Sequence, residues 1–461
     1  MRPFLSLAAL VAALWLILQP TLAAVPPRAQ RRLSAEPAIN LSNSPGVTSA
    51  RPQIARTQDG TLHVIWEEGD DVRHVYKPSD KPWGPTPALT VYLGGQDPAL
   101  TAYRDQLAAA VVAQAGETTD TFVRVRLWDG KGRWGKIQAV DNAVFGQQQP
   151  DVAIQPDDGS VWVAWVNNRF GYTTYYSHLV AGAAPEVGQV GQSGLKAQGP
   201  SVAVDAEGGV WVAWKEEAEP TNDSWVTCRR RPQGGNFGLC NERTDVLRGE
   251  TYKAFAPDLA LGMPGACLTW HNEMLSVRTP DVYLACDSSN WAARNISQSP
   301  DRTSQTPRLV LERPWGPLVA WEERLAPPRI LYRPGQSPPA AVAEARNAGL
   351  PAVAFEPLPS QGFGYLHTVW EAANPADSTG DPDIYYTRWR VDVPTPTPSA
   401  TTTLTPTRTA TPTASSTATV GTPATVGTPG SPTPTARTPT PKRVFAPFVA
   451  KPPMATRAPL K

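Results

Sequence analysis

An all-β fold is predicted for this chain, and three observations predict it. Trp, Val, Tyr and Thr are plentiful and runs of helix-forming Lys and Glu are absent, with 16 Trp against 4 Met in 461 residues. Short segments alternate with the period of a half-buried strand, as in Val161-Trp-Val-Ala-Trp165 and Val210-Trp-Val-Ala-Trp214. These segments recur behind seven proline anchors, at 52, 98, 150, 200, 257, 307 and 351, spaced 44 to 57 residues apart.

In chain order the first element is a leader. Residues 1–24 have the parts of a secretory signal: Arg2, an apolar core from Phe4 to Leu18, and the small residues of Thr21-Leu-Ala-Ala24. The core is broken by Pro20 and falls short of the ~20 residues a bilayer-spanning helix needs. A cleaved leader with no transmembrane span after it is therefore expected. No cysteine stands at the cleavage point, which argues against a lipid anchor. Residues 25–35 read as a linker to a domain over 36–393.

Within that domain each repeat has one order. A proline opens an alternating strand, a Gly-containing turn follows, and a second strand ends on Trp: Pro52 leads to Trp66, Pro150 to Trp165, Pro200 to Trp214, Pro257 to Trp270, Pro307 to Trp321 and Pro351 to Trp370. In the weaker copy at Pro98, Ala109 to Ala113 stands in for the Trp-ended strand. A third strand alternates Tyr and Arg, as in Arg329-Ile-Leu-Tyr-Arg333, and a fourth carries Trp83, Trp134 or Trp291. Four short strands per repeat is the pattern of a β-propeller blade, and seven copies predict seven four-stranded blades. A β-solenoid is the rival, but its repeats are much shorter.

The last repeat stops after its third strand, at Trp389-Arg-Val391. Before the first anchor, Asn40-Leu-Ser-Asn-Ser-Pro45 matches Asn295-Ile-Ser-Gln-Ser-Pro300, which precedes the Pro307 anchor. The N-terminal strand is therefore expected to supply the outer strand of blade 7 and close the ring without an open edge. Asn40, Asn222 and Asn295 also begin glycosylation sequons, which a bacterial source would leave silent.

Four cysteines in an exported chain permit disulfides in three connectivities. Their spacing has no Cys-x-x-Cys pair and does not suit zinc. Setting Trp270 opposite Tyr283 puts Cys267 opposite Cys286, and a turn at Gly234-Gly235 puts Cys228 opposite Cys240. Cys228–Cys240 and Cys267–Cys286 are the expected bridges; four buried thiols are the alternative.

From Pro394 to Pro441 the chain is Thr, Pro, Ala and Ser, too poor in apolar residues to fold. It is expected to be a disordered, extended stalk over 394–441. The segment 442–461 regains apolar residues in Lys442-Arg-Val-Phe-Ala-Pro-Phe-Val-Ala-Lys451. This resembles the short basic-flanked motif closing many Thr/Pro-stalked exported proteins of Chloroflexus-type bacteria, and the resemblance implies retention at the cell surface.

The net charge of +1 hides an asymmetry. Past Asp392 there are seven Lys or Arg and no acid. With Arg2 also set aside, residues 25–393 hold 34 basic against 41 acidic groups, about −7. An acidic body excludes nucleic acid, whose affinity comes mainly from neutralising phosphates.

The recurring chemistry follows the second strands: Glu67-Glu68, Asn167-Asn168-Arg169, Glu216-Glu217, Asn272-Glu273, Glu322-Glu323 and Glu371. Repeated round a ring, these groups would focus negative potential near the channel and suit Ca²⁺ or hydroxyl-rich partners. The plainer alternative is solvated charge ending an apolar strand. Trp66, Trp165, Trp214, Trp270, Trp321 and Trp370 could stack sugars, but their alternation with apolar neighbours places them between blades. The five histidines form no metal motif, and neither a phosphate loop nor a Gly-x-Ser-x-Gly turn is present.

The repeat resembles the sialidase-like (Asp-box or BNR-type) exported propellers over about residues 36–392. Leu127-Trp-Asp129-Gly-Lys-Gly-Arg-Trp134 keeps the Asp and Trp of an Asp box with shifted glycines. Gln155-Pro-Asp157-Asp-Gly159-Ser-Val-Trp162 keeps three informative residues but falls between first and second strands. The family's activity needs three arginines, a Tyr–Glu pair and an Asp; its Arg-Ile-Pro opening is missing, since Arg329-Ile330 continues as Leu331. The expected function is therefore non-catalytic binding of an extracellular glycan or protein by a secreted, surface-retained monomer. The alternatives are a sialidase-like exo-glycosidase or other glycan-cleaving enzyme with a diverged site, and a surface-layer component.

Overall fold

The computed structural model describes residues 36–393 apart from the short segments 84–87, 115–119, 142–145, 170, 193, 219–222, 241–251, 263–264, 275–276, 300, 325–326, 335–337, 345–346 and 376–379. The expected leader (1–24), linker (25–35), stalk (394–441) and C-terminal segment (442–461) lie outside the described residues, as does the Asn222 sequon.

Seven four-stranded antiparallel sheets are present. Blade 1 runs outward through Ser49–Arg56, Leu62–Glu68, Asp71–Lys77 and Leu89–Tyr92. Blades 2 to 6 repeat the order, and their inner strands touch in succession, the first against the last, to close a ring. Blade 7 takes Gly349–Leu358, Phe363–Ala373 and Pro382–Asp392 from the chain's end and Ile39–Asn40 from its start. Ile39 pairs with Tyr386 and Asn40 with Tyr385, so the N-terminal strand is the missing outer strand.

The turns explain why these residues leave one strand and enter the next. In blade 4 Asp205 accepts from Gly209 N at 2.6 Å and from Trp211 Nε1 at 3.0 Å. In blade 3 Gln155 Oε1 does the same for Trp162 Nε1 at 2.7 Å. Gly159 and Gly208 take the positive φ that these turns need, 72° and 77°. Asp129 accepts from Lys131 N and Arg133 N at 2.7 and 3.0 Å, closing the turn between third and fourth strands of blade 2.

The core lies between blades. Trp66, Trp165, Trp214, Trp270, Trp321 and Trp370 are at most 1% exposed, and each packs against the preceding blade. Such burial leaves no indole face for a sugar. Blade 2 has Val111 at this position, and Trp134 fills the joint to blade 1 instead. There Trp134 Nε1 donates to His74 Nδ1 at 3.3 Å, which puts the neutral His74 proton on Nε2, 3.1 Å from His63 Nδ1.

Trp83, Trp134 and Trp291 differ from expectation, standing just ahead of the fourth strands Leu89–Tyr92, Gln138–Ala139 and Arg294–Asn295. Fourth strands are only two to five residues long, too short to carry and bury a Trp. Trp134 and Trp291 fold back into the interior instead, 8% and 5% exposed.

Both disulfides are formed as the registers require. Trp270 pairs with Tyr283 and Cys267 with Cys286, and Arg230 pairs with Gly238 ahead of the Cys228–Cys240 bridge. The two matching corners are also alike in atomic detail. Asn40 Nδ2 and Ser42 Oγ donate to Asp383 at 2.7 and 2.8 Å, and Ile384 N donates to Ser42 Oγ. Asn295 Nδ2 and Ser297 Oγ donate to Asp281 at 2.8 and 2.6 Å, and Val282 N donates to Ser297 Oγ.

Candidate functional site

Each anchor proline interrupts its own strand. Proline has no N–H to give the ladder, and in every blade the register skips two residues there. The skipped pairs are Arg51-Pro52, Asp97-Pro98, Gln149-Pro150, Gly199-Pro200, Ala256-Pro257, Thr306-Pro307 and Leu350-Pro351. In all seven the residue before proline is left-handed, with φ between 44° and 54°. Six are not glycine, and for Thr306 or Leu350 this backbone costs on the order of 1–2 kcal/mol. The result is a ring of structurally equivalent bulges bearing seven different residues, six with side chains and Gly199 without. Six of them, all but Thr306, line a cavity of about 240 Å³ at the mouth of the axial channel.

A bulge frees a backbone N–H, and the blade before it supplies the acceptor. At three bulges the acceptor is the residue after the preceding blade's buried tryptophan, which faces the mouth. Glu67 Oε1 accepts from Asp97 N, Glu371 Oε2 from Arg51 N at 3.4 Å and His271 Nδ1 from Thr306 N at 3.3 Å. In blade 3 Val166 holds this position and cannot accept, and Gln149 Oε1 takes the Gly199 N–H at 2.9 Å. The Arg51 guanidinium ties Glu67 and Asp97 together at 2.9 and 2.8 Å.

Three neighbouring blades carry acids at this position: Glu322, Glu371 and Glu67. Glu322 and Glu371 converge over Gly349, where an added Cβ would stand 3.3 Å and 3.5 Å from their oxygens. Burial pushes the Glu371 carboxyl up, the Glu322 and Glu67 charges add to the push, and Arg51 opposes it. Across the mouth Lys215 holds the equivalent place, its Nζ 2.8 Å from Glu217 and 4.1 Å from the centre of the Phe255 ring. The charges at the mouth are therefore largely paired, Glu322 with Arg324 at 2.7 Å, Glu67 with Arg51 and Lys215 with Glu217.

The next residue along each second strand points the other way, into the blade. Glu68 accepts from Trp66 Nε1 at 3.3 Å. Glu216, 5% exposed, accepts from Trp214 Nε1, Trp225 Nε1 and Thr227 Oγ1. Glu323, 2% exposed, holds two arginines. Asn167 Oδ1 accepts from Arg169 N at 3.0 Å beside the exposed Arg169, and Asn272 is buried. The Glu273 side chain is outside the described residues. The paired acids thus divide between two faces instead of forming one carboxylate ring, because successive strand residues alternate. Among the described residues no three His, Cys, Asp or Glu side chains gather as a metal site.

Below the mouth the sequence pattern missed three polar groups. Asp151 Oδ2 accepts from Val202 N at 2.7 Å, Ser201 Oγ from Leu259 N at 3.1 Å, and Asp258 Oδ2 from Leu309 N at 2.6 Å, each stitching one blade to the next. Arg308 reaches Asp258 at 3.6 Å. Burial pushes the Asp151 carboxyl up to about 6, the Asp258 charge adding to it and the Val202 N–H and Arg308 opposing. The residue after each anchor proline marks this level, a signal readable only once the bulge is known. Elsewhere, Ser160 Oγ lies 2.7 Å from His178 Nε2, and His178 Nδ1 is 3.7 Å from Glu186. Ser160 is only 5% exposed, so its hydroxyl serves the blade 3 turn.

No family model matches the chain, and no curated protein matches it in sequence. Among solved structures it is similar to a protein of unknown function from Dyadobacter fermentans, at 10% identity and TM-score 0.48 over 78% of this chain and 99% of that one. It is similar to the six-bladed, fucose-recognising lectin of Aleuria aurantia, at 10% identity and TM-score 0.45 over 67% and 98%. A third is the endosialidase of phage phi92, at 10% identity and TM-score 0.41 over 78% and 69%.

Proposed function

We propose that the chain is an exported, surface-retained propeller that binds an extracellular glycan or protein at the channel mouth without cleaving it. The observation that carries this reading is the bulge ring: one backbone geometry repeated seven times around a cavity, with a different residue at each repeat. Strained, non-glycine positions of this kind concentrate at ligand sites. Most of the acids at the mouth are engaged in joining blades, which suits a rigid recognition surface better than proton transfer. Two disulfides fit an oxidising compartment, and among the described residues no helix is long and apolar enough to cross a membrane.

A glycan-cleaving reading has one specific observation in its favour. Glu322 and Glu371 converge over Gly349, and the Glu371 carboxyl is raised as a general acid requires. One experiment tests both readings: the full chain on a glycan array, with calcium and with chelator, and mass spectrometry of the retained glycans. Retention of glycans that carry no carboxylate, without shortening and lost in Arg51→Ala, is the expected result. Shortened glycans, abolished by Glu371→Gln, would make the enzyme the better reading.

A further inference from the structure

Glu323 and the two arginines it holds outline a second site, apart from the channel mouth. Glu323 Oε1 accepts from Arg302 Nη1 at 3.0 Å and from Arg329 Nη2 and Nε at 2.7 and 3.1 Å. All three residues line a cavity of about 380 Å³ beside the corner that leads from blade 5 into blade 6. Leu331, Ala341 and Pro339 give this cavity an apolar wall. The other N–H groups of both guanidiniums have no acceptor among the described residues.

The ring contains its own control. At the matching corner into blade 1, Ser44-Pro45 is followed by Gly46-Val47, where this corner has Asp301-Arg302. Glu68 pairs there with Asp71, at the register position where Glu323 pairs with Arg329. Glu68 meets one guanidinium there, that of Arg73 at 3.3 Å, which also reaches Asp71 at 3.0 Å. The corner therefore forms with a single arginine on its glutamate, and folding does not account for the second. Two guanidiniums facing one buried carboxylate leave a positive wall, with Asp301 the opposing charge on the exposed rim. A planar, fixed fork of N–H donors is matched by a carboxylate, and Glu323 has already immobilised the donors.

We propose that this cavity binds a carboxylate-bearing saccharide, a uronate, with its carboxylate across Arg302 and Arg329 and its ring against Leu331, Ala341 and Pro339. The site stands whether or not the channel mouth binds a ligand.

The test is calorimetric titration of the full chain with trigalacturonate, with galactotriose as the neutral control and acetate and sulfate as competitors. Trigalacturonate is expected to bind and galactotriose not. Arg302→Ala is expected to weaken binding at least tenfold, and since that side chain is 43% exposed its loss leaves the fold intact. Arg51→Ala should leave uronate binding unchanged, which separates this site from the channel mouth. Absence of trigalacturonate binding, or binding that survives Arg302→Ala, overturns the proposal. Displacement by acetate or sulfate at concentrations equal to the trisaccharide overturns the saccharide part, since the site then takes a bare anion.

Discussion

Between blades 5 and 6 the chain runs straight through its Asn295-to-Ser299 corner, whereas at the seam between blades 7 and 1 the same corner is assembled from the chain's two ends. Asp281 collects bonds from residues 14 to 18 positions away; Asp383 collects them from residues 339 to 343 positions away. The hydrogen bonds are alike, yet one set fine-tunes a corner that covalent bonds already hold near, and the other does the holding. Asp383 also accepts from Asn374 Nδ2 at 2.8 Å and is 2% exposed, so at the seam the carboxylate is a hub.

That contrast can be broken by mutation. Asp383→Ala is expected to cost about 3–5 kcal/mol, because it orphans several buried donors and frees the strand that closes the ring. Asp281→Ala is expected to cost about 1–3 kcal/mol. Urea unfolding of the two variants measures both, and equal losses would mean that the seam is no weaker than an internal corner.

A smaller effect separates the axis from the blade 1–2 joint by pH. The Asp151 carboxyl lies near 6 in the folded chain, above its ordinary 3.8, so the folded state binds more protons and gains stability as pH falls from about 6 to 3.8. Burial holds His63 at about 4, below its ordinary 6.5, so the unfolded state binds more protons and stability is lost as pH falls from 6.5 to 4. Asp151→Asn keeps an acceptor for Val202 N and removes the first effect. It should raise stability at pH 7 by about 1–2 kcal/mol, less than the ~3 kcal/mol of the full shift because an amide oxygen accepts more weakly than a carboxylate. It should also steepen the loss toward pH 4.5, and denaturation at the two pH values reads both.

The ring was legible because its signal repeats. Anchor prolines, Trp-ended strands and the shared Asn-x-Ser-x-Ser corner each recur at a common spacing, so a weak copy such as Ala109 to Ala113 could be placed by its neighbours. The cysteine pairs followed once Trp270 was set opposite Tyr283. The site was less legible. Glu67-Glu68 and Glu322-Glu323 read as doublets, but alternation sends Glu67 and Glu322 to the mouth and Glu68 and Glu323 into the blade. The left-handed residues before proline leave no mark in composition, since Leu350 and Thr306 are poor choices for that backbone. The sequons at Asn40 and Asn295 are also better explained now: both side chains are committed to an aspartate, and Asn-x-Ser is the pattern of the corner.

The seam also sets the order of events during folding. Asn40 meets Asp383 across 343 positions, so this contact has one of the highest sequence separations in the ring and carries a correspondingly large loop-closure entropy. The first strand to leave the ribosome must therefore wait for the last, and until they meet the chain holds six complete blades and three strands of blade 7, with the outer side of Pro382–Asp392 an open edge. Docking of two residues, Ile39 and Asn40, ends that exposure, and the rate of this step decides how long the chain is open to pairing with its neighbours.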